Sequence, residues 1–211
     1  MKTLLPLYTH PLTDPGMWEA AAGLSLGVTV VVNVHDGPGS EPDEAYEAAT
    51  ARLAGAGVPM LGYVDLGYAA RPVADILDDV DRWARYPVAG IFFDRAPATR
   101  FEAGPVALAV RVARRSGLPA VVLNPGVPTD PHYRELEVGI CTYEGPWVDY
   151  QRWTGEGSQP GDGHLVYGVP PAEQDAAQHL LTARQATFGL VTDLDMPTPY
   201  AALPAWAARR S

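Results

Sequence analysis

A single (β/α)8 barrel over residues 1–211 is the fold this sequence predicts. Three observations carry the prediction. Short apolar runs alternate with longer amphipathic segments; the alternation repeats eight times; and Gly or Pro bounds most of the runs. Strands separated by helices pair in parallel through right-handed crossovers. Eight such units favour a closed barrel over an open doubly wound sheet, and no Gly-x-Gly-x-x-Gly turn follows the first run to support the open sheet. Barrels of this kind average about 250 residues, so a chain of 211 implies short loops.

The elements follow in order. The first strand, residues 4–8, reads Leu-Leu-Pro-Leu-Tyr. Asp14-Pro15 then supplies an N-cap and a proline at the first helical position for a helix over 15–22. A valine-rich strand covers 28–33, and Asp43 after Ser40-Glu41-Pro42 puts negative charge at the positive end of a helix over 43–54. Gly57 suits a C-cap before the third strand, 59–64. A helix over 72–85 leads to the fourth strand, 90–94, and a helix over 104–116 closes at Gly117 before the fifth, 120–124. A short helical turn near 131–135 fills the place before the sixth strand, 138–144. A helix over 146–153 and a flexible glycine-rich loop over 155–163 come next. The seventh strand (164–169), a helix (172–184), the eighth strand (188–192) and a last helix (203–209) complete the round.

Composition narrows the function. Hydrophobic residues make up 47% of the chain and charged residues 19%, an ordinary globular balance. The formal net charge is −10, and the only arginine runs are the pairs Arg114-Arg115 and Arg209-Arg210. That argues against nucleic acid and against an anionic membrane surface, both of which need basic patches. It gives a weak bias toward neutral or cationic substrates. Cys141 is the single cysteine and reads as a small buried hydrophobe. The N-terminus carries no signal-peptide pattern and no run reaches membrane-span length, so a cytoplasmic protein is expected.

No cofactor or metal is implied. The five histidines are scattered without zinc-site spacing. There is no P-loop and no Gly-x-Ser-x-Gly elbow. The loops after the seventh and eighth strands, Val169-Pro170-Pro171 and Asp193-Leu194-Asp195, lack a phosphate cradle.

Barrel active sites lie at the C-terminal ends of the strands, and the polar residues of this chain collect there. Tyr8, Asn33, Tyr63 with Asp65, Asp94, Asn124, Glu144, Tyr167, and Thr192 with Asp193 end successive strands. Asp94 and Glu144 follow apolar runs directly, where a carboxylate needs a reason for burial. Parity places Phe92 on the Asp94 face, Val122 and Ala120 on the Asn124 face, and Thr142 and Ile140 on the Glu144 face, with Cys141 turned to the helices. Two carboxylates across a barrel mouth suit glycoside hydrolysis, one as general acid and the other as base or nucleophile. Tyr8, Asn33, Tyr63, Asp65, Asn124, Trp147 and Tyr167 are the candidate substrate-binding residues. Trp18, Tyr68, Tyr150 and Trp153 are further aromatic residues near the same loops, although the tryptophans also suit packing of helices on the barrel.

Read in order, several segments resemble the spherulin-4 family. They are Pro6-Leu7-Tyr8 with His10-Pro11, Trp18, Val32-Asn33 with Gly37-Pro38-Gly39, and Leu61-Gly62-Tyr63-Val64. Gly90-Ile91-Phe92-Phe93-Asp94, Leu123-Asn124-Pro125-Gly126, Thr142-Tyr143-Glu144 and Val166-Tyr167-Gly168-Val169-Pro170 complete the set. The resemblance implies a barrel related to glycoside hydrolases that act on galactosamine-containing polysaccharide, with the family's carboxylates falling on Asp94 and Glu144. In the hydrolytic members a Glu follows the strand-four Asp; here Arg95 stands there, and an arginine beside Asp94 is expected to lower the pKa of that carboxylate. Two readings follow: a glycoside hydrolase with Glu144 as acid and Asp94 as base or nucleophile, or a non-hydrolytic sugar-binding or repurposed small-molecule enzyme on the same fold.

Overall fold

A computed structural model of the chain describes residues 1–24 and 27–208. Its strands are β1 (Lys2–Leu7), β2 (Val28–Val32), β3 (Met60–Asp65), β4 (Gly90–Asp94), β5 (Ala120–Asn124), β6 (Gly139–Pro146), β7 (Gly163–Tyr167) and β8 (Phe188–Val191). They form a closed, all-parallel barrel in sequence order, with β8 back on β1. The helices around it are α1 (Pro15–Ala22), α2 (Glu44–Gly55), α3 (Val73–Arg82), α4 (Ala103–Arg115), α5 (Trp147–Arg152), α6 (Gln174–Ala183) and α7 (Ala205–Ala208). Between β5 and β6 a 3₁₀ turn, Pro131–Leu136, takes the place of a helix. The expected end of the last helix, Arg209, lies outside the described residues.

Local chemistry accounts for the boundaries. The Asp14 carboxylate accepts from the Met17 N–H, and Asp43 accepts from Ala45 and Tyr46, so orphan amides at both helix starts are satisfied. Gly57 and Gly117 adopt left-handed φ of 75° and 80° just past α2 and α4, where a side chain would be strained. The loop before β7 is tied down rather than loose: Asp162 is buried, and the Arg134 guanidinium forks onto its carboxylate.

The sheet register fixes which side chains enter the barrel, because paired residues in a parallel sheet point the same way. Tyr63 pairs with Phe92, Phe92 with Val122, and Asp94 with Asn124, as the parity argument requires. Phe188 pairs with Gly163, and Gly163 with Cys141. Leu4, Leu61 and Phe188 line a cavity of about 370 Å³ at the N-terminal mouth, which identifies their side as the interior.

Strand β6 departs from the expected parity. Its register against β7 shifts between Cys141 and Tyr143, so Thr142 is an extra residue, a β-bulge. The Thr142 hydroxyl bonds the Ser158 Oγ at 2.7 Å, and Tyr143 packs on Tyr150 and Trp153 in the helix layer. Glu144 pairs with Leu165 and regains the interior. The grouping of Thr142 with Glu144 therefore fails. Cys141 faces Tyr8, Asp94 and Glu144 in the barrel rather than the helices, and burial, with the fields of Glu144 and Asp94, pushes the thiol pKa well up.

Candidate active site

At the C-terminal mouth the strands deliver Asp94, Asn124 and Glu144 to one cluster. The Asn124 Nδ2 donates to Asp94 Oδ1 at 2.8 Å and to Glu144 Oε2 at 2.6 Å. Asn124 is 3% exposed, and its Oδ1 is buried without a partner. Tyr63, one strand away, donates its hydroxyl to Asp94 Oδ2 at 2.9 Å. Tyr200 donates to Glu144 Oε1 at 2.5 Å. The Tyr8 ring joins the two ends edge-on, 5.6 Å from Tyr63 and 6.2 Å from Tyr200 between centroids. The carboxylates are thus bridged on one side by an amide and on the other by three aromatic rings.

Burial raises the pKa of both carboxyls above the usual range. For Asp94 the opposing influences are hydrogen bonds from Tyr63, from Asn124 and from the Arg95 backbone N–H. For Glu144 they are hydrogen bonds from Tyr200 and Asn124, and the neighbouring Asp94 charge pushes the pKa further up. Each carboxyl also feels a like charge, Asp65 for Asp94 and Asp94 for Glu144; the difference is that Asp94 has three donors to hold its anion and Glu144 two. Tyr8 lies within the fields of both carboxylates, and burial holds its phenol protonated well above its ordinary pKa.

The expected lowering of Asp94 by Arg95 is not found. Arg95 turns away into a left-handed conformation at φ 47°, and its guanidinium forks onto Asp65, with Nε 2.8 Å from Oδ1. Asp65 also accepts from the Gly67 N–H, and these donors hold its pKa below the usual value against the effect of burial. The Arg95 side chain is hydrogen-bonded to Asp65, and Arg95 reaches Asp94 directly through its backbone N–H.

Other candidates fall elsewhere. Asn33 closes a turn by accepting the Gly37 N–H at 2.8 Å. Trp147 is buried in the helix layer beside Tyr150, and its indole N–H donates to Glu173 at 2.7 Å, so it is placed for packing rather than at the carboxylates. Tyr150, Trp153 and Trp18 pack likewise. Tyr167 is half-buried within the field of Glu144, and Tyr68 is exposed within the fields of Asp94 and Glu144. Asp193 caps the start of α7 through the Ala205 N–H. Tyr200 had no signal in the sequence, because it lies in a stretch after β8 with no strand or helix period. Among the described residues no group of three or more His, Cys, Asp or Glu could hold a metal ion, and no helix is long and apolar enough to cross a membrane.

Known proteins share this fold to different depths. The fold superposes on Sph3 of Aspergillus clavatus, solved in complex with GalNAc, with a TM-score of 0.84 at 27% identity over 99% of this chain and 95% of that one. The 3-dehydroquinate dehydratase of Aquifex aeolicus VF5 aligns at TM-score 0.55 and 9% identity, over 100% and 97% of the two chains. A β-mannanase of Streptomyces thermolilacinus aligns at 0.52 and 14%, over 96% and 83%. These two share the barrel alone. Spherulin-4 of Physarum polycephalum is 34% identical over 151 residues, 68% of this chain but 45% of that protein, so the match spans less than half of the relative's length. The model of spherulation-specific family 4 matches residues 2–208, and the chain belongs to that family.

Proposed function

We propose that this chain is a glycoside hydrolase acting on glycans that contain galactosamine or N-acetylgalactosamine, with Glu144 as general acid and Asp94 as nucleophile. The observation that carries the reading is the pair of buried carboxylates held on one Asn124 amide. The nearest oxygens, bonded to one nitrogen, lie no more than about 5.5 Å apart, which favours the close carboxyl pair of retaining glycosidases over the wider pair, about 6.5–9.5 Å, of inverting ones. The GalNAc bound to Sph3, whose fold matches this one, supports the sugar class.

In the first step Glu144 gives its proton to the glycosidic oxygen while an Asp94 oxygen bonds the anomeric carbon, and the bond to the leaving sugar breaks. In the second, Glu144 takes a proton from water, whose oxygen displaces Asp94 from that carbon. Burial raises both carboxyls; Glu144, with two hydrogen-bond donors, suits the proton donor, and Asp94, with three, suits the anion. Tyr8, with its phenol protonated between the two carboxylates, and Tyr63, Asn124 and Tyr167 would contact the reacting sugar.

Arg95 favours a second reading, binding without hydrolysis, because the residue after Asp94 is a cation locked to Asp65. Turnover of galactosamine and N-acetylgalactosamine oligosaccharides separates the two. Hydrolysis lost in Glu144→Gln and in Asp94→Asn, with both variants folded, is the expected result. Tight binding of the same sugars without product would favour the second reading.

A further inference from the structure

We propose that Tyr200 is the positioning residue of Glu144, fixing the carboxyl from its Oε1 side so that Oε2 is presented beside Asn124 and Asp94. The inference rests on the assignment of Glu144 as the acid. The geometry is specific. The phenol oxygen lies 2.5 Å from Glu144 Oε1, and Asn124 holds Oε2 at 2.6 Å, so both oxygens are pinned and the carboxyl plane is set. The Tyr200 ring in turn stands edge-on to Tyr8.

What holds Tyr200 is the segment after β8. Thr9 donates to the Ala201 carbonyl at 3.0 Å, Trp206 donates to the Val191 carbonyl at 2.9 Å, and Asp193 accepts from the Ala205 N–H at 2.8 Å. This stretch is thereby folded back over the mouth and supplies a group that none of the eight strands provides. A positioned acid matters because small errors in placement cost rate steeply. Tyr200 does not itself exchange a proton with substrate in this account; burial and Glu144 hold its phenol protonated well above its ordinary pKa.

The other titratable groups whose fields meet Glu144 are Asp94 on β4, Tyr8 after β1, Cys141 on its own strand, Tyr167 on β7 and Tyr68 after β3. None of them is bonded to Oε1, so removing the Tyr200 hydroxyl isolates one interaction.

The test is Tyr200→Phe, read by carbon-13 NMR titration of the Glu144 carboxyl without substrate, its signal identified by loss in Glu144→Gln. The phenol stabilises the ionised carboxyl, so its loss raises the Glu144 pKa by about one unit, the size of a hydrogen bond to a charged group. The basic limb of kcat/KM, where the general acid loses its proton, moves to higher pH by the same amount. kcat falls by about tenfold or more from misplacement, with KM little changed. A Glu144 titration unchanged in folded Tyr200→Phe overturns the proposal. Should that variant not fold, 3-fluorotyrosine at position 200 keeps the ring, makes the phenol more acidic and moves the Glu144 pKa down; no movement overturns the proposal equally. Wild type that turns over none of the sugars refutes the hydrolase reading, while the titration still decides the role of Tyr200.

Discussion

His164 is buried and spends both ring nitrogens on hydroxyls, that of Tyr150 at 2.7 Å and that of Ser158 at 3.2 Å, and burial lowers its pKa from 6.5 to about 4. The folded value lies below the unfolded one, so the unfolded chain binds the extra proton. The stability this ring contributes is whole above pH 6.5 and is lost as the pH falls toward 4. We expect a loss on the order of 2–3 kcal/mol across that window, seen as a falling urea midpoint. His164→Gln should flatten that part of the profile, and a wild-type midpoint level between pH 7 and pH 4 would contradict the assignment. At this scale the sequence was readable for Asp94, Asn124 and Glu144, because each ends an apolar run at a strand terminus. Asn33 and Trp147 carry structural roles as well, a turn acceptor and a packed indole, because the same residue types serve turns and helix packing. Tyr200 was unreadable, since its partner is 56 positions away and no local pattern marks it.

The elements show where pattern reading holds and where it stops. Strands β4 and β5 have the expected bounds because regular pleating makes every second residue face inward. Strand β6 breaks the rule at Thr142: strict alternation from an inward Cys141 would turn Tyr143 to the interior and Glu144 to the helix layer, and the bulge reverses both. A bulge leaves no mark in hydrophobic alternation, so the parity of Cys141 could not be read correctly. Strand β7 carries a second constraint. A methyl on Gly163 would meet the Phe188 ring at 2.2 Å, and Gly139 receives the same ring from the other side. Gly163→Ala is therefore expected to destabilise the barrel by about 1–3 kcal/mol through overpacking. Chemical denaturation reads this directly, and a midpoint equal to wild type would show that Phe188 has room to move.

For the whole molecule, closure depends on a short seam. β1 and β8 share only the pairs Lys2 with Phe188 and Thr3 with Gly189, whereas β4 and β5 are paired along their full length. The segment after β8 reinforces the closure by packing α7 against α1 and bonding Trp206 to Val191. Trp206→Ala should lower the melting temperature and, by releasing Tyr200, reduce activity more than the stability loss alone explains. Normal turnover in that variant would separate the seam from the site. The eightfold repeat made this architecture legible, since no other plan accommodates eight strand–helix units so economically; the latch from the last residues obeys no repeat and came only from the structure. The central claim is that the two carboxylates on Asn124 cut a glycosidic bond. The most direct measurement is turnover on a panel of galactosamine, N-acetylgalactosamine and mixed oligosaccharides by wild type and Glu144→Gln side by side. The account predicts product from wild type and none from folded Glu144→Gln; equal turnover by both, or none by folded wild type, would contradict it.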